Sequence, residues 1–400
     1  MQYTDQPVRK TGVTKLFSRK YISLLAVFVI IFSCFAVIPV QGAEVAANDL
    51  TIQGALDKAC KNNPDLRTAS LNIEKAGIVK DDLAWKVEGT YTAGMVSTAN
   101  QTLMSGYQNA DLAWTKAKKG EKATTDALSY NVITAYSTVV QKNNSMELAR
   151  LQAENARQQL KVKSLAKSVG LLADFDYDKS VLACKKLEDA YKASQTEYTA
   201  AAATLRTLLG ESETWQPSLS SKALINSFVR DTLAIELSRG LSQSYALWAA
   251  QADLDNQDLQ SHYYVSGDSF KTTKVNLELA EANVEKTRRD TQSQIEQLYL
   301  ALDTLENQIS LADKAYTTSA KDLELAKLKY SLGMIPQASM TGTDDLASYN
   351  LAAENARIAL ENARFTLVQK KAQFAYLTSR TPFDAKDWSP VPATAQTTKK

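Results

Sequence analysis

Glu121 to Gly170 reads EKATTDALSYNVITAYSTVVQKNNSMELARLQAENARQQLKVKSLAKSVG, and the chain repeats this stretch further on. Moved by 163 positions, Tyr136 falls on Tyr299, Asn144 on Asn307, Leu148 on Leu311 and Ala149 on Ala312. The match runs without a gap through Leu160 on Leu323, Leu165 on Leu328 and Ser168 on Ser331 to Gly170 on Gly333. Past the glycines the second copy carries six extra residues, and a shift of 169 restores the correspondence. Leu182 then pairs with Leu351, Ala183 with Ala352, Ala190 with Ala359 and Leu208 with Leu377. Two copies of one supersecondary unit follow, each needing a neighbour to bury its apolar face.

Only 14 Gly and 8 Pro occur in 400 residues. Ala, Leu, Lys, Glu and Gln dominate, so the fold class is mainly all-α, built from long helices. The first 43 residues hold five of the 46 basic groups and one of the 44 acids, leaving 41 basic against 43 acidic in the rest. That balance argues against a nucleic-acid partner, whose surface needs clustered cations. Lys116, Lys118, Lys119 and Lys122 read as a solvated helix face. Beyond Cys34 only Cys60 and Cys184 remain, too far apart for a disulfide framework or a metal site, and two free thiols are the plainer reading. His262 is the single histidine. No catalytic triad, zinc cluster or other cofactor site is readable, no phosphate loop or nucleophile elbow is present, and no enzyme is expected.

Arg9, Lys10, Lys15, Arg19 and Lys20 precede an uncharged run from Tyr21 to Ile38, the layout of a secretory signal over residues 1–43. An uncleaved anchor is the alternative. The first hairpin repeat occupies residues 44–210. Asn63-Pro64-Asp65 predicts a helix start, with asparagine as N-cap and proline in the first turn. Glu88 to Trp114, with Gly89, Gly94, Gly106 and a run of Thr and Tyr, favours extended structure, and two strands of about ten residues fit there. Helix then resumes by Glu121, turns at Gly170-Leu171 and returns from about Asp174 to Leu209. Residues 211–222 read as a linker, and residues 223–380 as the second repeat. There Ser261 to Thr273 leaves room for a tight turn or two strand stubs, and Val275 to Leu332 is one long helix. A longer turn follows through Gly333, Met334 and Pro336. Residues 381–400 read as a disordered tail.

Helices of this length with alanine and leucine along narrow seams pack as antiparallel coiled coils. Stripes left open on the sides close against identical copies, and cyclic symmetry makes a tube. Here the residues resemble the TolC-like outer-membrane efflux proteins. The likeness lies in Asn63-Pro64-Asp65-Leu66, Thr134-Ala135-Tyr136, Val169-Gly170-Leu171, Leu332-Gly333, Leu208-Leu209-Gly210 and the duplication itself, spanning Leu50 to Ser379. The resemblance implies a membrane-associated homotrimer with a periplasmic α-barrel, acting as a passive exit duct in tripartite efflux or type I secretion. Its tips, around Gly170, Leu171, Gly333 and Met334, would face a periplasmic adaptor and an inner-membrane pump. It also implies an acidic entrance ring, for which Asp345 and its repeat mate Asp176 are the nearest positions; N-capping or solvated aspartate is the plainer reading.

One departure stands out. The family places two strands between the helices of each copy to close an outer-membrane barrel, and a membrane strand needs about 9–11 residues. The second copy lacks that length. Either the barrel is vestigial or the chain is a helical duct or spacer. A structural coiled-coil spacer of the envelope without a lumen is the alternative function; a pump adaptor would need strand-rich halves that are absent.

Overall fold

The computed structural model describes residues 49–90, 98–215, 218–219, 224–226, 230–262, 267–382 and 388–390. The expected signal, residues 1–43, lies outside them. All elements belong to one unit, Ala47–Lys400. In chain order they are β1 (Asp49–Leu50), α1 (Ile52–Asn62), α2 (Pro64–Thr90), α3 (Thr98–Ser168), α4 (Asp174–Leu209), β2 (Ser218–Leu219) and β3 (Leu224–Asn226). Then come α5 (Leu233–Gln243), α6 (Tyr245–Ser261), α7 (Gly267–Ser331), α8 (Leu346–Leu377) and β4 (Trp388–Pro390).

Local chemistry sets the boundaries. Thr51 caps α1, its hydroxyl accepting from the Gly54 amide at 3.1 Å. Asn63 caps α2 as the sequence predicts: its side-chain oxygen accepts from the Asp65 amide at 2.7 Å, and Pro64 opens the helix. The same side chain donates to Leu208 O at 3.2 Å, tying α2 to the end of α4. Gly210, at φ +66°, closes α4 with Glu211 N donating to Arg206 O. Its repeat mate Ser379 closes α8 at φ +54°, with Arg380 N donating to Ala375 O. The same wrapped end is thus built once on glycine and once on serine.

Three expectations are corrected. Two strands of about ten residues do not fit in Glu88 to Trp114, because α2 continues to Thr90 and α3 already starts at Thr98. Helix α3 therefore has 71 residues, about 105 Å at 1.5 Å per residue, rather than starting at Glu121. The second long helix, expected from Val275, also starts earlier: α6 ends at Ser261 and α7 already begins at Gly267. Packing explains the miss. A glycine in a helix costs only about 1 kcal/mol, and the early part of α3 gains a neighbour on two sides, α2 and α6. The linker and tail are also not structureless throughout: Ser218–Leu219 pairs in parallel with Asp49–Leu50, and Trp388–Pro390 pairs antiparallel with Leu224–Asn226.

The long helices lie side by side as α4, α3, α8, α7 towards the hairpin turns, and as α2, α3, α6, α7 towards the other end. Helices α3 and α8 are covered on two sides. Helices α2, α4 and α7 sit at the flanks, and each is covered along one stripe only. On α4 the less exposed residues run from Tyr177, Ser180, Cys184 and Leu187 to Ala201, Leu205 and Leu208 in alternating steps of three and four. On α2 they run Leu66, Ala69, Ile73, Ala76, Lys80, Leu83, Val87. This is a strict seven-residue seam. Helix α7 keeps the same rule with one slip, the successive steps of four from Thr287 to Thr291 to Ile295, as an inserted stutter would give.

The main core lies where α1, the middle of α3, the end of α4 and α8 meet, around Leu56, Ile133, Tyr136, Leu205, Leu209 and Phe365. The Tyr136 hydroxyl donates to Leu50 O at 2.7 Å. A smaller core joins Ile295, Leu298, Leu302 and Phe374. Polar contacts join the hairpins as well. Gln141 donates to Asn362 O and to the Thr366 hydroxyl, both at 3.0 Å, and Gln369 donates to Thr134 O at 3.3 Å.

Candidate functional site

The two hairpin turns use one geometry. At Gly170, φ +77°, the glycine amide donates to Lys167 O at 3.0 Å and Leu171 N to Ala166 O at 2.8 Å. At Gly333, φ +71°, the corresponding bonds run to Tyr330 O at 2.9 Å and from Met334 N to Lys329 O at 2.8 Å. These are the paired bonds of a glycine-terminated helix, and they satisfy the last orphan carbonyls of α3 and α7.

What the turns display is apolar. Leu171 is 75 % exposed and Met334 is 68 % exposed. Leu165, Val169 and Phe175 surround the first; Leu328 and Leu332 surround the second, all of them exposed. Leu165 with Leu328, Val169 with Leu332 and Leu171 with Met334 are repeat mates, so each hairpin ends in the same small crown. Sequence reasoning named the turn residues but missed the crown, although the Leu165–Leu328 identity was its visible trace.

The aspartates beside the turns differ. Asp176 is exposed in the first turn of α4, and the N-cap there is Ala173, which makes no side-chain bond. Asp345 is 0 % exposed and caps α8. Its carboxylate accepts from the amides of Ser348 and Ser339, each at 2.7 Å, and from the Ser339 hydroxyl at 2.8 Å. Burial pushes its carboxyl up, but the bonds from Ser348 and Ser339 outweigh that and hold it below the usual aspartate range. The six extra residues of the second turn thus fold into a compact polar knot. Gly342 of that knot approaches α3 so closely that an added Cβ would lie 2.5 Å from the Gln159 side chain. Asp345 is in this structure the capping aspartate, not an exposed entrance residue.

The flanks form the other candidate surface. Opposite its buried seam α7 exposes Leu300, Leu311, Leu325 and Leu328; α4 exposes Val181 and Leu182. Cys60 and Cys184 are free thiols, and burial pushes both up. Among the described residues no three His, Cys, Asp or Glu side chains are placed to hold a metal ion, and no helix is long and apolar enough to cross a membrane.

No protein-family model matches the sequence, and no curated protein matches it. Solved structures do match the fold. The outer-membrane channel CmeC of Campylobacter jejuni superposes with a TM-score of 0.59 at 13 % identity, over 90 % of this chain and 96 % of that one. The chain has the outer-membrane-channel fold. The outer-membrane protein VceC of Vibrio cholerae gives 0.55 at 12 % identity, over 83 % and 97 % of the two chains. The open state of the MtrE outer-membrane channel of Neisseria gonorrhoeae gives 0.54 at 15 % identity, over 83 % and 89 %. This channel fold is the TolC-like one that the sequence resemblance implies, and it is reached through helices where a strand pair was expected.

Proposed function

We propose that the chain is the protomer of a homotrimeric envelope duct, an exported protein of the outer membrane or periplasm that passes substrates passively in efflux or secretion. The observation that carries this reading is the single covered seam on each long flank helix. An isolated helix pair has no reason to keep leucines at Leu300, Leu311, Leu325 and Leu328, facing away from its only seam. Closing α4 of one copy on α7 of the next buries them, and repetition of that contact encloses a lumen. The apolar crowns fit a helical partner, so the two turns are the surfaces for an adaptor and, through it, a pump. Of the two aspartates considered for an acidic entrance, Asp176 is the one whose carboxylate is exposed.

A second reading, an envelope spacer without a conducting lumen, is favoured by one observation. Seven residues separate α2 from α3, and five separate α6 from α7, where a pair of membrane strands needs about 20 residues. The two readings part on symmetry. Native mass measurement and class-averaged electron micrographs of the purified chain are expected to show a hollow threefold ring; monomers or dimers without a hollow would sink the duct.

A further inference from the structure

The slip in the α7 seam has a cavity beside it. About 670 Å3 lies open where α8 ends and α6 begins, with α3 on one side and α7 on the other. That volume is within the usual range for small-ligand pockets, roughly 300–1,000 Å3. The first repeat fills the same place with core. At the offset of 163, Leu128 is the mate of Thr291 and Thr124 the mate of Thr287. Leu128 is buried in the main core, and the Thr124 hydroxyl is used within its own helix, donating to Gly120 O at 2.9 Å. Thr291 is only 9 % exposed and lines the cavity, and its hydroxyl has no hydrogen-bond partner among the described residues. The side chains of Gln243, Thr287 and Gln294 and the Tyr376 hydroxyl line it in the same unbonded state. A buried hydroxyl without a partner is costly, so a threonine in place of a core leucine points to a polar guest that meets it.

Aromatic rings and one cation complete the lining. The N-caps of α1 and α5, Thr51 and Thr232, correspond in the two copies. Carried on from that pair, Tyr245 and Trp248 stand where the first copy has Pro64 and Arg67. Tyr245 is fixed in place: its hydroxyl donates to Lys116 O at 3.0 Å, and Gly120 leaves room for it, since an added Cβ would lie 3.0 Å from that hydroxyl oxygen. Trp248 packs beside it, with ring centroids 5.9 Å apart. The Lys119 ammonium lies 4.1 Å from the centre of the Trp248 ring and has no carboxylate partner among the described residues. The other charges of the lining are matched, Lys122 by Asp126 and Asp290 by Lys286. The cavity therefore holds one unmatched positive charge.

We propose that this cavity binds a saccharide that carries a carboxylate. A pyranose ring has an apolar face to set against Tyr245 and Trp248 and a rim of hydroxyls to bond Thr287, Thr291, Gln294 and Gln243. Its carboxylate pairs with Lys119. An apolar guest would leave the Thr291 hydroxyl unbonded, and a neutral sugar would leave the Lys119 charge unmatched. One copy of the chain supplies these residues, so the site does not depend on the oligomeric reading above.

The test is isothermal titration calorimetry of the full chain with two disaccharides, N-acetylglucosaminyl-N-acetylmuramic acid and diacetylchitobiose, which differ by a single lactyl carboxylate. Saturable binding is expected, about tenfold tighter for the acidic sugar, as one charge-assisted hydrogen bond gives. Lys119 is exposed, so Lys119→Gln leaves the fold intact and is expected to lower the acidic sugar to the affinity of the neutral one. Thr291→Leu, which restores the residue type of its mate, is expected to abolish binding of both sugars while thermal unfolding stays at or above that of the parent chain. No saturable heat with either sugar overturns the site. Equal affinity for the two overturns the acidic ligand, and undiminished binding to Thr291→Leu places the sugar elsewhere and overturns the cavity as its seat.

Discussion

Helices α1 and α5 hold equivalent places in the two copies, yet they are seated by opposite chemistry. Each has 11 residues, a threonine N-cap and a constant separation of 181 positions. In α1 the buried positions are Ile52, Ala55, Leu56 and Ala59, packed into the main core. In α5 the positions of Ala55 and Ala59 are taken by Glu236 and Gly240, also buried. Glu236 accepts from the Asp231 amide and from Arg239, both at 2.9 Å, and pairs with Arg380 at 2.9 Å. Gly240 admits the Ile295 side chain. One copy closes its base with methyl groups, the other with a buried carboxylate held between two guanidinium groups. The turns repeat the contrast: a bare glycine turn in copy one, the Asp345 knot in copy two. A duplicated scaffold therefore fixes where helices go but not what holds their ends.

The sharpest way to break that contrast is Glu236→Ala. It takes the buried carboxylate from Arg239 and Arg380, which keep Asp231 at 2.8 and 3.2 Å, and the expected loss is about 3 kcal/mol, at the low end for a buried pair because both arginines are partly exposed and retain that second partner. Denaturant unfolding measures it; a neutral result would mean that α5 is held by Leu237 and its apolar neighbours alone. Next comes Gly240→Ala, whose Cβ would fall 2.3 Å from Ile295 Cδ1 and 3.2 Å from Leu377 O. Overpacking there is expected to cost about 2 kcal/mol, whereas the reciprocal Ala59→Gly is expected to cost about 1 kcal/mol through helix propensity.

The smallest effect belongs to the turns. Asp345→Ala is expected to cost about 1 kcal/mol as a lost N-cap, and Asp176→Ala less than about 0.5 kcal/mol. Acid sharpens this pair. The folded-state pKa of Asp345 is depressed, so its stabilisation is complete above the ordinary aspartate value near ~3.9 and is lost as pH falls through the lower folded value. Amide exchange at the second turn should therefore accelerate below about pH 4 relative to the first, and Asp345→Asn should abolish that dependence. Equal acid response at both turns would remove the knot from the account.

The duplication, the glycine turns, the Asn63-Pro64 start and the helical class were all legible, because each depends on residues within one or two turns of helix or on identity at a fixed offset. The sequence by itself thus determined two long hairpins and where each reverses. Only the tertiary structure decided the rest. Gly89, Gly106 and their threonine neighbours carry a weak local preference for extended chain, and packing of α3 between α2 and α6 outweighs a preference of that size. Burial of Glu236 and of Asp345 was hidden for the same reason. A carboxylate leaves water only when donors converge on it, and its donors here come from Arg380, Arg239 and Asp231 in one case and from the folded turn in the other. Such convergence belongs to three dimensions and leaves no period in the chain.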